Sequence, residues 1–206
     1  MTGIDRWRAA CATLGVTRSD SEHQKLLRAW GGWGRHYHTV THLEACLREL
    51  VFARELAEQP AEVEVALWYH DAVYRTFRKD NEKQSADWAA EFLSENGAKA
   101  DVVERVRSLV MATAHLDGEA TGDAALTVDI DLMILGTPQP VYDEFEKNVR
   151  KEYWWVPARR YAAARTNILR TFLMRPVIFN TGRFRERYEA NARINLQRAI
   201  DALASG

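Results

Sequence analysis

The stretch from Thr41 to Val51, "THLEACLRELV", places Leu43, Cys46, Leu47, Leu50 and Val51 at the i, i+3, i+4, i+7, i+8 spacing of a single helical face. That period predicts an amphipathic helix, and Val102, Val103, Val106, Leu109 and Val110 repeat it. Helical readings also fit 4–14, 20–30, 61–71, 82–95, 138–153, 158–173 and 184–203. Between them fall Gln59-Pro60, Asn96-Gly97, Gly136 to Pro138, Val156-Pro157 and Thr181-Gly182, where Gly and Pro end or start helices. No stretch alternates in the manner of a strand. The fold expected is all-α.

With 206 residues, 47% of them apolar and 28% charged, the chain can bury a sizeable core. Residues 1–206 read as one helical domain, with 1–30 and 138–206 as helical extensions packing on the core. The 28 basic and 29 acidic residues are interspersed and leave a net charge of −1, so no basic field advertises a nucleic-acid duplex as partner. Cys11 and Cys46 form no CxxC, which argues against a thiolate cage and a disulfide framework, and the expected setting is the reducing cytoplasm. The N-terminal "MTGIDRWRAACATLGV" lacks the apolar core of a secretion signal, and no later run approaches a membrane span, so no membrane partner is expected. Trp154-Trp155 read as core or interface rather than as a base-stacking platform.

Polar residues recur in apolar company. "RHYHTVTHLE" carries His36, His38 and His42; "ALWYHDAVY" ends an apolar run on His70-Asp71; "MATAHLDG" holds His115; and "LTVDIDLMILG" embeds Asp129 and Asp131. A buried imidazole or carboxylate costs several kcal/mol unless it is bonded, paired or bound to metal. If residues 38 to 42 are helical, His38 and His42 share a face; if Thr41 caps the helix with Glu44, only His42 belongs to it. Either way His42 opens one helix and His70-Asp71 closes another, and packing their apolar faces brings nitrogen and carboxylate donors together. Asp131 can add a fourth donor from a later helix. Two histidines and two carboxylates suit a divalent ion such as Mn, Fe, Co, Ni, Zn or Mg.

The ordered series His42, His70-Asp71 and a later aspartate resembles the HD superfamily of metal-dependent phosphohydrolases. More closely, "HYHTVTHLE", "ALWYHDAVY", "DNEKQSA", "DIDLMILG", "VRKEY" and "ARINLQ" are similar to a bacterial subgroup of HD phosphohydrolases, over roughly His36 to Gln197. The resemblance implies an HD-type helical bundle with one metal held by His42, His70, Asp71 and Asp131. Asp131 is chosen over Asp129 because related proteins present the second acid of a D-x-D stretch. His115 corresponds to an extra histidine that binds a second metal or the substrate phosphate in some branches, beside a purely structural reading. His38 would lie outside the metal's direct ligands, His36 in solvent or packed on a loop, and His23 on the surface.

"RTFRKDNEKQSA" follows the pair. Its charges can be a solvated face, and Asp80-Asn81-Glu82 good helix-start chemistry. Family members place an acid here to handle a proton, which makes Glu82 the first candidate and Asp80 the second. The expected reaction is hydrolysis of a phosphate ester or anhydride, with a nucleotide among the small phosphorylated substrates. Asp71 or a nearby acid would accept a proton, and Arg75 or Lys79 would balance phosphoryl charge. No GxxxxGK[ST] loop supports a nucleotide independently. Two alternatives stay open: a di-iron oxygenase of the same fold, which needs more histidines, and a non-catalytic module that keeps the metal or pocket to bind a ligand.

Overall fold

The segment "PAEVEVALWY" begins with proline, which suits the first helical position because the amide it lacks would have no partner there. In the computed structural model, which describes residues 2–115 and 120–205, it forms a helix, Pro60–Tyr69, with every residue from Glu62 to Tyr69 buried. Glu62 and Glu64 survive burial because each carboxylate takes an arginine fork: Arg105 on Glu62 at 2.8 and 2.8 Å, and Arg6 on Glu64 at 2.7 and 3.1 Å. An element enclosed on all sides fixes whatever follows its last turn, and His70-Asp71 follow it.

The described residues form ten α-helices and no strand: α1 (Ile4–Thr13), α2 (Asp20–Trp30), α3 (Val40–Phe52), α4 (Pro60–Tyr69), α5 (Asn81–Glu95), α6 (Ala100–Ala112), α7 (Gly122–Leu132), α8 (Gln139–Glu152), α9 (Ala158–Leu173) and α10 (Gly182–Ser205). The fold is all-α. None of these helices is long and apolar enough to cross a membrane. Two compact units are formed, Met1–Ile130 and Asp131–Gly206. The division falls inside α7, so Asp131 occupies the last turn of a helix that begins in the first unit.

In the first unit α1, α3, α5 and α6 pack on α4. Tryptophans tie the elements: Trp7 donates to the Ser19 carbonyl at 2.8 Å, and Trp30 to the Trp68 carbonyl at 2.9 Å. Trp7 meets Trp68 edge-on at 5.3 Å, an arrangement favoured by the ring quadrupoles. His23, expected on the surface, is 6% exposed. It packs on Trp68 and bonds the Thr2 carbonyl through Nε2 at 2.9 Å, so its polar neighbours in sequence misrepresent its place.

The helix α7 is absent from the segments that periodicity predicts. Its residues 125–130 are buried consecutively, leaving no polar face to set a period. In the second unit α10 packs along α9 and the 3-10 turn Met133–Gly136. Asn195 donates to the Leu135 and Thr137 carbonyls at 2.9 Å each, while Arg193 covers the carbonyls of Leu173, Arg175 and Pro176 at the end of α9. The "ARINLQ" segment thus does structural work. Trp154 and Trp155 are 68% and 49% exposed, which removes the core half of the core-or-interface expectation.

Candidate metal centre

The helix α3 starts at Val40 with Thr39 as its N-cap. His38 therefore lies before the helix and His42 in its first turn. Glu44 does not close a capping box on Thr41; its carboxylate accepts from the amide and hydroxyl of Thr2. His70 is the C-cap of α4, and the 0% exposed Asp129 and partly buried Asp131 sit on the last turns of α7.

His42, Cys46, His70 and Asp131 each offer a donor atom, all within 4.8 Å of one another, a set that can hold a metal ion. The two imidazoles face each other Nε2 to Nε2 at 3.1 Å. Asp71 Oδ2 lies 3.3 Å from His70 Nε2 and 3.9 Å from His42 Nε2. Donors bonded to one ion at about 2.0–2.2 Å stand roughly 3.0–3.5 Å apart in octahedral or tetrahedral arrangements, a range that includes the 3.1 and 3.3 Å separations and falls short of the 3.9 Å one. Cys46 Sγ is 3.7 Å from His42 Nε2 and 3.8 Å from Nδ1. Near-equal distances put the sulfur over the ring face rather than along the Nε2 lone pair.

The imidazoles are oriented from behind. His70 Nδ1 lies 2.8 Å from the Leu67 carbonyl, which only accepts, so the proton belongs on Nδ1 and Nε2 presents a lone pair. His42 Nδ1 lies 3.0 Å from the Tyr37 hydroxyl. Arg35 clamps the backbone of the same corner, donating to the carbonyls of His38 (2.9 Å), Asp71 (2.8 Å) and Ala72 (2.9 Å) while stacked between Trp30 and Tyr74. His38 stacks on Tyr74 at 4.0 Å with Nε2 3.9 Å from Asp71 Oδ2, beside the donor cluster. His36 is exposed.

The loop after Asp71 is laced to α5. Ser85 Oγ accepts from the Val73 amide at 3.0 Å; Asn81 accepts from the Arg75 amide at 3.1 Å and donates to its carbonyl at 3.0 Å. In "DNEKQSA", then, Asn81 and Ser85 hold the loop. The side chains of Arg75 and Lys79 are exposed and Glu82 is half-buried. Asp80 takes Arg78 at 2.9 and 3.2 Å and Gln84 at 2.8 Å. The Arg78 bond, then Gln84, hold its carboxyl below the usual range. His115 is not among the clustered donors; it follows α6 with φ 54°, in the left-handed region that non-glycine residues seldom occupy. Leu116 to Gly118 of the same motif lie outside the described residues.

Sequence reasoning missed Arg35, Tyr37, Tyr74 and Cys46. Only Cys46 carried a signal, one turn after His42 on the same face. No family model, curated protein or solved structure matches this chain.

Proposed function

We propose that the chain is a metal-dependent phosphohydrolase of HD type, acting on a phosphate ester or anhydride, with nucleotides among its substrates. The observation that carries the reading is the convergence of His42 Nε2, His70 Nε2 and Asp71 Oδ2 at 3.1, 3.3 and 3.9 Å, while Asp131 shares a donor set with the same two histidines and Cys46. Lone pairs and carboxylates brought this close repel unless they share a cation or a proton. The mixed nitrogen and oxygen set, beside a sulfur, fits a divalent ion, for which His42, His70, Asp71 and Asp131 are the ligands. When bound, such an ion supplies Lewis acidity towards water and a phosphoryl oxygen.

The remaining roles belong to the chain. The Leu67 carbonyl and Tyr37 hydroxyl aim the two imidazoles, and Arg35 holds the turn that carries Asp71. Arg75 and Lys79, exposed on the laced loop, are suited to meet substrate phosphate. Glu82 is the better-supported proton acceptor, because the Arg78 pairing lowers the basicity of Asp80. His115 is assigned to the substrate side.

The test is metal-depleted protein resupplied separately with Mn, Fe, Co, Ni, Zn or Mg and assayed on phosphomonoesters, nucleotides and cyclic nucleotides. Hydrolysis is expected with at least one ion. His70→Gln should lose bound metal and turnover together while keeping its helical circular dichroism. Asp131→Asn should weaken metal binding far more than Asp129→Asn. Full metal occupancy in all three variants, or no turnover with any ion, would overturn the reading.

A further inference from the structure

The helices α8, α9 and α10 of the second unit enclose a groove of about 1110 Å³. Pockets for small ligands run to about 1,000 Å³ and bury most of the ligand, so this groove lies at or beyond the top of that range. Its α9 wall presents Ala158, Ala162, Thr166 and Arg170, four positions apart on one helical face. The α10 wall presents Ala199, Ala202 and Leu203. Small side chains on two neighbouring helices leave room for the backbone of another element to approach.

The rim is cationic in a chain whose net charge is −1. Of the two acidic residues in the lining, Asp143 is occupied by Arg198 at 2.8 Å and Glu146 by Arg165 at 2.6 Å. Lys147 and Lys151 stand on α8 and Arg159 and Arg170 on α9, all exposed. The last two make no ion pair among the described residues. The lining also holds Tyr161, 8% exposed, whose hydroxyl is buried without a hydrogen-bond partner. A buried donor left unsatisfied is unfavourable, and an incoming carboxylate would satisfy it.

We propose that this groove is the docking site for an acidic amphipathic helix of a partner protein, its apolar stripe on the alanine walls and its carboxylates on Lys147, Lys151, Arg159 and Arg170. Helices recognised in grooves anchor through i, i+3, i+4, i+7 side chains, and three helices with an open face accept a fourth by the packing of a bundle. The inference is independent of the metal centre.

The experiment uses the full chain and a fluorescent synthetic peptide of about five helical turns, with Leu at i, i+3, i+4, i+7 spacing and flanking Glu on an Ala background. A twin carries Lys for every Glu. The acidic peptide should bind saturably, with a dissociation constant tighter than about 0.1 mM, and should weaken with salt. The Lys twin should bind at least tenfold more weakly. The double variant Arg159→Glu, Arg170→Glu, both at exposed positions, and the groove-filling Ala202→Phe should each weaken the acidic peptide at least tenfold, with circular dichroism unchanged. Equal binding of both peptides, no saturation, or unchanged affinity in both variants would overturn the proposal. So would self-association abolished by the charge reversal, which makes the occupant a second copy. Binding of laurate in place of the peptide would make it a small amphiphile instead.

Discussion

At the scale of single residues, Tyr37 shows how much of the centre rests on groups that are not donors themselves. Its hydroxyl, 3.0 Å from His42 Nδ1, holds the tilt of the ring by giving or taking that hydrogen bond. Tyr37→Phe removes only that oxygen, so the fold should persist while affinity for Zn or Co falls about 10- to 100-fold. A competition titration against a chelator of known affinity measures this; an unchanged affinity would show that the ring is held by packing alone. Cys46 makes a second case. Because its sulfur sits over the His42 ring at 3.7 and 3.8 Å, the cobalt-loaded protein should lack a thiolate-to-metal charge-transfer band. Its appearance would place the sulfur among the ligands. His42 and His70-Asp71 were legible in the sequence as polar residues at the ends of apolar runs, whereas Asp131 stood inside such a run and was set above Asp129 by the family resemblance alone. Cys46 was hidden as an apolar member of the α3 face, and Arg35 works through backbone carbonyls that no side-chain pattern records.

Among the elements, the periodic helices were legible because one face is wet. The helix α7 was not, since solvent imposes no pattern on a helix enclosed at every position from 125 to 130, and unlike α4, which is equally enclosed but announced by Pro60, it has no proline at its start. Close approach also escapes a periodic reading. A Cβ on Gly136 would lie 2.5 Å from the Cβ and carbonyl oxygen of Tyr188 on α10, and backbone cannot yield as a side-chain tip can. Gly136→Ala should therefore cost about 1–3 kcal/mol or more, read as a lower urea midpoint; a midpoint unchanged from wild type would mean that α10 shifts freely. On α9, burial pushes the Tyr161 phenol from 10.0 up to about 12. A raised folded value means the folded state keeps its proton longer, so this contribution is present below pH 10 and is lost as pH rises through about 12. Between those limits wild type should lose more stability than Tyr161→Phe, as urea titrations at each end of the window would show. Parallel losses would assign the alkaline effect to other groups.

For the whole molecule, the donor set couples the proposed ion to folding. His42 lies on α3, His70 and Asp71 follow α4, and Asp131 ends α7, so three elements distant in sequence must be in place before the donors meet. An ion that binds only this arrangement stabilises it by RT ln(1 + [M]/Kd), about 2.7 kcal/mol at a hundredfold excess over Kd. For a chain of 206 residues that corresponds to a rise in melting temperature of roughly 5 to 10 °C. Two compact units need not melt together, so calorimetry can resolve two transitions, and a single midpoint would then describe neither. Added metal should raise the transition of the unit that contains His42 and His70, and a chelator should reverse the shift. His70→Gln should leave that transition where the chelated wild type has it, whether metal is present or not. A shift of equal size in His70→Gln would place the stabilising ion elsewhere, and no shift in wild type at saturating metal would remove the physical basis for assigning these four side chains to an ion.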